Sequence, residues 1–396
     1  MITEILTIGI IVLAILITLS WLALELQYRN RPGNALELTS GDWNLAVAEP
    51  EKYLLVGEME LCNRTKSLEI MVPEVEAEIK LLSSGSLEGV SCEAKIIPFH
   101  EDTPARADNY WFAYIVKVGK KTKLKISIDI QGNNLEQLKS AWIKVHYVTY
   151  GPGGRVPKLK NIIVPLKFPD PNATPNQREA TNAKVFPIQT HLLTQLDDPI
   201  EIIKRYVVPH AQKGDIVTIG ETPLALIQGR FRHPTDVKPG WVAKRICYFF
   251  LPTSSLATAC GMQTLVDIVG PIRVLIAFFG GSIAKILGKP GMFYQFAGEQ
   301  ARLIDDVTGT LPPYDQFIVL GPENPQQVVE QIQQATGLGA AIVDVNDLKA
   351  VKILAATSNI SHPLLEEALR SNPAGNADEQ TPVVLIRPLS SDEFRI

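Results

Sequence analysis

The sequence predicts a chain of three parts: an N-terminal transmembrane helix, an all-β sandwich of immunoglobulin-like type, and a domain of α+β or α/β construction. Three observations predict it. Residues 5–24 form one apolar run, ILTIGIIVLAILITLSWLAL. Residues 35–168 read as short alternating segments separated by turn residues. From residue 185 onward, helical periodicities alternate with short β-type runs. A chain of 396 residues has room for two domains and an anchor. A hydrophobic content of 46% with 20% charged residues describes a globular protein with a membrane element, not a disordered one.

The apolar run has the roughly 20 residues that a spanning helix needs. No Lys or Arg precedes it and no small-x-small cleavage site follows, so residues 1–34 read as an anchor and not as a cleaved signal peptide. Arg29 and Arg31 follow at once, against Glu4 before it, which by the positive-inside rule places the soluble domains on the cytoplasmic side. Trp21 and Tyr28 suit the membrane interface, and Pro32-Gly33 ends the helix.

Within residues 35–168, runs such as YLLVGEMEL, LKISIDI and AWIKVHYVTY recur about every dozen residues, with turn signals at SSGS, GKK and QGNN. The basic run KVGKKTKLK, residues 117–125, alternates with apolar residues and reads as the solvated face of a hairpin. His100 and His146 are isolated and read as ordinary surface or half-buried histidines. A sandwich without a chemical constellation serves as a spacer or as a docking surface for a protein partner. The net charge of −4 and pI near 5.9 exclude a nucleic-acid partner, since no basic excess exists to neutralise phosphates. Cys62, Cys92, Cys247 and Cys260 show no zinc spacing; Cys62 and Cys92 share the β domain and could pair in an oxidising compartment, with buried thiols the commoner outcome.

Residues 169–184, rich in Pro and Asn, read as the linker to a second domain over residues 185–396. That domain opens with the strand VFPIQTHLLT, then an acid-capped helix in which Ile200, Ile203 and Val207 share a face. Next come the strand in KGDIVTIGETPLALIQGRF and a polar loop at Gly220 to Thr222. Residues 261–296 are apolar enough to suggest a second span, yet Asp267, Arg273 and Lys285 interrupt them. Amphipathic helices, buried or lying on the bilayer surface, fit better.

The runs FIVL, residues 317–320, and AAIV, residues 340–343, flank a helix whose Val328, Val329, Ile332 and Ala335 share a face. Asp305-Asp306 precede this strand-helix-strand unit, and Asp344, Asn346 and Asp347 follow it. Carboxylates beyond the carboxyl ends of strands stand where a cation or a metal–phosphate complex is held. Their hard oxygens suit Mg²⁺ or Mn²⁺. The same residues also serve as ordinary turn and cap residues. A short helix around Leu364 to Leu369, a polar loop at residues 372–378 and a strand at residues 382–386 close the chain.

Four segments of residues 185–388 resemble the coenzyme F-420 γ-glutamyl ligases: VFPIQTHLLTQLDD, KGDIVTIGETPLALIQGR, LGPENPQQVVEQIQQATG and AAIVDVND. The resemblance leaves out the anchor and the β domain. It implies a GTP- and divalent-metal-dependent ligase that phosphorylates a carboxylic acid and lets the α-amine of glutamate attack the acyl phosphate. It implies metal binding by Asp344 and by Asp305 or Asp306, with Asp347 as an added acid. Nucleotide contact is implied for Pro187, Ile188, Gln189, Thr190, Thr222 and Arg230. Two departures stand out: Leu226 or a neighbour replaces the family's phosphate lysine, and DVNDL replaces its DTxGR segment. Two functions follow as alternatives: a membrane-anchored amide ligase, or a non-catalytic scaffold of the same fold that binds a metabolite or a partner.

Overall fold

A computed structural model describes residues 2–29, 35–306, 311–345, 350–375 and 379–389 of the chain. Helix α1 (Ile2–Arg29) is long and apolar enough over Thr7–Gln27 to cross a membrane, and none of that stretch is buried against the rest of the protein.

An immunoglobulin-like sandwich follows. One sheet contains β1 (Leu36–Leu38), β2 (Asp42–Glu49), β3 (Lys52–Asn63), β5 (Ser91–Phe99) and β7 (Lys121–Gln131). The other contains β4 (Ile70–Ser83), β6 (Tyr114–Val116), β8 (Leu138–Gly151) and β9 (Gly154–Pro165). Strand β7 shows why the sequence folds this way: Leu124, Ile126, Ile128 and Ile130 point into the core, while Lys121 and Lys123 face water. The basic run is therefore the turn before β7 and the wet side of that strand's first residues, and β7 pairs with both β3 and β5. His100 lies buried, stacked on Tyr114 at 3.8 Å, whereas His146 is exposed near Glu78. All four cysteines are free thiols, and only Cys247 is buried.

The C-terminal region is mixed. Its main sheet runs in the order β10 (Arg178–Ala180), β11 (Ala183–Ile188), β18 (Val383–Pro388), β12 (Ile216–Gly220), β16 (Gly339–Val345) and β17 (Val351–Ala356). Residues of the expected linker thus supply its edge strand. Both faces of its centre are covered, so the first four residues of β12 and the first five of β16 are all buried. Val217, Ile219, Ala340, Ile342 and Leu385 pack on one side beneath α2 (Pro199–Tyr206) and α9 (Pro325–Thr336). Ile216, Ala341, Val343 and Ile386 pack on the other beneath α10 (His362–Leu369). Asp198 caps α2 by accepting from the backbone N–H groups of Ile200 and Glu201, a contact worth about 1 kcal/mol. At the edge of the α9 face, Ala335 is left exposed.

Two expectations change here. The FIVL strand shrinks to β15 (Ile318–Val319) and joins a separate small sheet with β13 (Phe231–Arg232) and β14 (Asp305–Asp306). It is therefore not the sheet partner of β16. The parallel partner of β16 is β12, more than a hundred residues upstream, with Gly220 opposite Val343. The polar loop after β12 is instead the first turn of α3 (Glu221–Ile227), where Pro223 is tolerated because first-turn amides lack helical partners.

Helices α4 (Trp241–Ile246), α5 (Ala259–Val269), α6 (Pro271–Ile286), α7 (Met292–Ala297) and α8 (Gln300–Leu303) form a helical layer around their own apolar core. Trp142 of β8 and Ile163 of β9 share a further cluster with Leu226, Tyr314 and Phe317, which fixes the sandwich to the C-terminal region. The Trp142 indole N–H donates to Asn161 Oδ1 at 2.9 Å.

Candidate active site

A cleft of about 420 Å³ opens at the carboxyl ends of the parallel pair β12 and β16. This is where ligands collect in α/β sheets. One wall is apolar, formed by Leu192, Leu193, Leu226, Leu311 and Tyr314; the other presents Thr190, Thr218, Glu221, Thr222 and Asp344. The segment from Leu369 to Gly375 and the segment from Gln380 to Pro382 close the rim.

The acidic end follows from strand register. Gly220 is level with Val343, so the next residues of the two strands, Glu221 and Asp344, emerge side by side. On the opposite edge of β16, Asp344 pairs across the antiparallel ladder with Lys352. Asp305 reaches the same electrostatic neighbourhood from the small sheet. Burial and then the Asp344 charge push the Glu221 carboxyl up to about 7; Lys352 pulls it down and Asp305 adds to the rise. Burial and the Asp344 charge also raise Asp305, although part of that residue is open to solvent. Carboxylates that resist ionising together gain from a cation or a proton placed among them.

The donor set, three carboxylates with hydroxyls nearby, is chemically suited to a hard divalent ion. Among the described residues, no three His, Cys, Asp or Glu side chains stand in a metal-holding cage. One or two carboxylates completed by phosphate and water oxygens is the usual arrangement for Mg²⁺, and the cleft offers that many. The side chain of Asp306 and the whole of Asp347 lie outside the described residues.

The expected nucleotide residues divide into two groups. Thr190 and Thr222 line the cleft. Thr190 is buried, its amide donating to the Gln380 carbonyl at 3.0 Å and its hydroxyl to the His191 carbonyl at 2.8 Å. Pro187, Ile188 and Gln189 border a different cavity, beside residues 169–178. The first two are buried in β11, level with Val384 and Val383. Arg230 stands apart as well. Its guanidinium donates to the Gly321 carbonyl and pairs with Glu323, clamping the end of α3 to the segment before α9.

Sequence reasoning missed Glu221 and Lys352. Both are brought to Asp344 by pairing across β12, β16 and β17, which no local spacing reveals. It also passed over His191, which lies in the cleft wall with Nδ1 2.8 Å from the Tyr206 hydroxyl and Nε2 2.9 Å from Asp197 Oδ1. Both nitrogens are engaged, so this imidazole fixes the loop after β11 and offers no free base.

Fold and cleft together define a class: an immunoglobulin-like sandwich fastened to a mixed α/β unit with an acidic, hydroxyl-bearing cleft, preceded by a helix able to cross a membrane. Residues 37–168 match the family model for the N-terminal Ig-like domain of F420-0:gamma-glutamyl ligase. The match falls on the sandwich, the part that the resemblance read from the sequence had left out. No curated protein matches the chain. Among solved structures, the GAE domain of yeast GGA1 is 14% identical, covering 33% of this chain and 91% of its own, with a TM-score of 0.20. The GAE domain of GGA2p from Saccharomyces cerevisiae is 6% identical over 33% and 98%, also with a TM-score of 0.20. A protein from Archaeoglobus fulgidus is 12% identical over 34% and 100%, at the same TM-score of 0.20. Likenesses this slight carry no argument about fold or function.

Proposed function

We propose that the protein is a membrane-anchored ligase that joins a carboxylic acid to the amine of glutamate, with GTP as phosphoryl donor and Mg²⁺ or Mn²⁺ as cofactor. The observation that carries this reading is the placement of Glu221 beside Asp344 at the carboxyl end of the β12–β16 pair, with Asp305 near enough to feel the Asp344 charge. The match of residues 37–168 to the Ig-like domain of F420-0:gamma-glutamyl ligase supports it. In this reading α1 anchors the chain, Arg29 and Arg31 keep the remainder cytoplasmic, and the sandwich offers a surface to a protein partner.

In the first step the substrate carboxylate oxygen attacks the γ-phosphorus, the bond to the β–γ bridging oxygen breaks, and GDP leaves with the electron pair. In the second, the glutamate nitrogen attacks the acyl carbon, phosphate leaves, and the amine gives up a proton. Lys352 faces the phosphoryl group as a cation, in place of the lysine that the sequence lacks at Leu226. The Thr222 hydroxyl orients a phosphate oxygen, while Thr190, whose amide and hydroxyl already donate to the Gln380 and His191 carbonyls, shapes the wall beside it. Glu221, titrating near 7, accepts the amine proton. A divalent ion, when bound, offsets phosphate charge. Asp344 would hold it, with Asp305, Asp306 and Asp347 as further candidates and phosphate and water oxygens completing the shell.

The test is phosphate release by the full chain given GTP or ATP, Mn²⁺, glutamate and a panel of carboxylic acids. Acid-dependent release is expected, and failure to bind either nucleotide overturns the proposal. The scaffold reading draws on one observation, the apolar Leu226 in the cleft wall. It requires wild-type and Asp344→Ala chains to restore a deletion strain equally well.

A further inference from the structure

The helical layer carries an apolar face that no described residue covers. Ile272, Ile276, Phe279, Ile283 and Ile286 recur along α6 at steps of four and three, and each is 60–85% exposed. The opposite face of α6 is buried through Val274, Ala277 and Gly281. Gly281 lies so close to α7 that a Cβ there would stand 2.9 Å from the Phe293 backbone. The outward stripe is therefore fixed in direction, not a helix free to roll inward. Phe249 extends it sideways, its ring 4.9 Å from Phe278, and Tyr248 and Leu251 beside it are also largely exposed.

The region around this face is basic. Between Asp236 and Glu299 the sequence holds Lys238, Lys244, Arg245, Arg273, Lys285 and Lys289 against Asp267 alone, a net +5 within a chain of net −4. Asp267 is itself paired with Arg232 at 2.6 Å. A broad apolar face with aromatic residues, set in a basic region, has the composition of a surface that rests in the interface of an anionic bilayer. Helix α6 alone is too short to span: its 16 residues reach only about 24 Å, short of the ~30 Å hydrocarbon core, and α5 meets it at a bend of 111°.

We infer that the α6 face and the Tyr248–Leu251 turn dock on the surface of an anionic membrane, giving the protein a second, in-plane contact beside α1. The occupant is lipid and not a second copy of the chain, because two such patches would set +5 against +5. This inference rests on α1 bringing the chain to a bilayer. Docking also fixes the tilt of the C-terminal region, and with it the position of the cleft relative to the membrane.

The test uses the full chain carrying Phe279→Trp in nanodiscs of phosphatidylcholine with or without phosphatidylserine, with the wild-type fluorescence subtracted. The added indole should emit to the blue and be quenched about twofold or more by lipids brominated on the acyl chain, more strongly with phosphatidylserine present. Ile283→Trp should behave alike. Quenching by aqueous iodide instead would overturn docking while leaving α1 as an anchor. Protection from both quenchers would mean that protein covers the face and would overturn it equally. A chain that does not stay with the disc at all would defeat the anchor reading along with this one.

Discussion

Replacing Glu221 with Gln should make the C-terminal region more stable at alkaline pH and leave it nearly unchanged at acid pH. The carboxyl titrates near 7 in the folded protein, against 4.5 for an ordinary glutamate, because burial and the Asp344 charge oppose its ionisation. Between those values the folded chain holds a proton that the unfolded chain has released, so stability falls as pH rises through the window. Moving a titration that far amounts to at most about 3 kcal/mol. Glu221 is half-buried and the cleft admits solvent, which reduces the expected loss to roughly 1 to 2 kcal/mol. Glutamine has no proton to lose, so the variant escapes it. Amide exchange of β12 and β16, converted to an opening free energy at pH 5 and pH 8, measures the effect where it acts and does not require the whole chain to unfold in one step. The gap between variant and wild type should open between the two pH values. A gap that stays constant, or a variant less protected at pH 8, would refute the placement of Glu221 beside Asp344.

Three further outcomes follow from the same geometry. Lys352→Ala should raise the Glu221 titration further and weaken nucleotide binding about tenfold, as loss of one charge-assisted phosphate contact does; a pH titration and calorimetry measure the two effects. Trp142→Ala should cost about 3 to 5 kcal/mol, because the indole is fully buried where the sandwich meets the C-terminal region; denaturant unfolding measures the loss. Gly281→Ala should cost about 1 to 3 kcal/mol by forcing α6 away from α7, seen as a lower melting temperature.

How much of this could be read from the sequence depended on how local each signal was. The apolar run of α1 and the alternation of β7 are properties of consecutive residues, and both elements stand where the patterns put them. The separation of β15 from β16 was hidden because two apolar runs around a helix look the same whether or not the strands share a sheet. Asp344 was picked out from its position after a strand, and Thr190 and Thr222 only through the resemblance to the ligase family. Glu221 went unnoticed because Gly220 reads as the start of a loop, whereas the chain turns directly into α3 there. Lys352 was invisible for a different reason: only the β16–β17 register sets it against Asp344. Arg230 was named only through the resemblance to the ligase family, and its pairing with Glu323, more than ninety residues away, is something no local pattern reveals.

Calorimetry of Mn²⁺ and GTP with the full chain, wild type against Asp344→Asn, bears most directly on the cleft. The wild-type chain should bind the pair with a dissociation constant of roughly micromolar order, and the variant at least about tenfold more weakly. Equal binding by the two proteins, or no heat with either, would mean that the carboxylates at the end of β12 and β16 do not hold a metal–nucleotide complex.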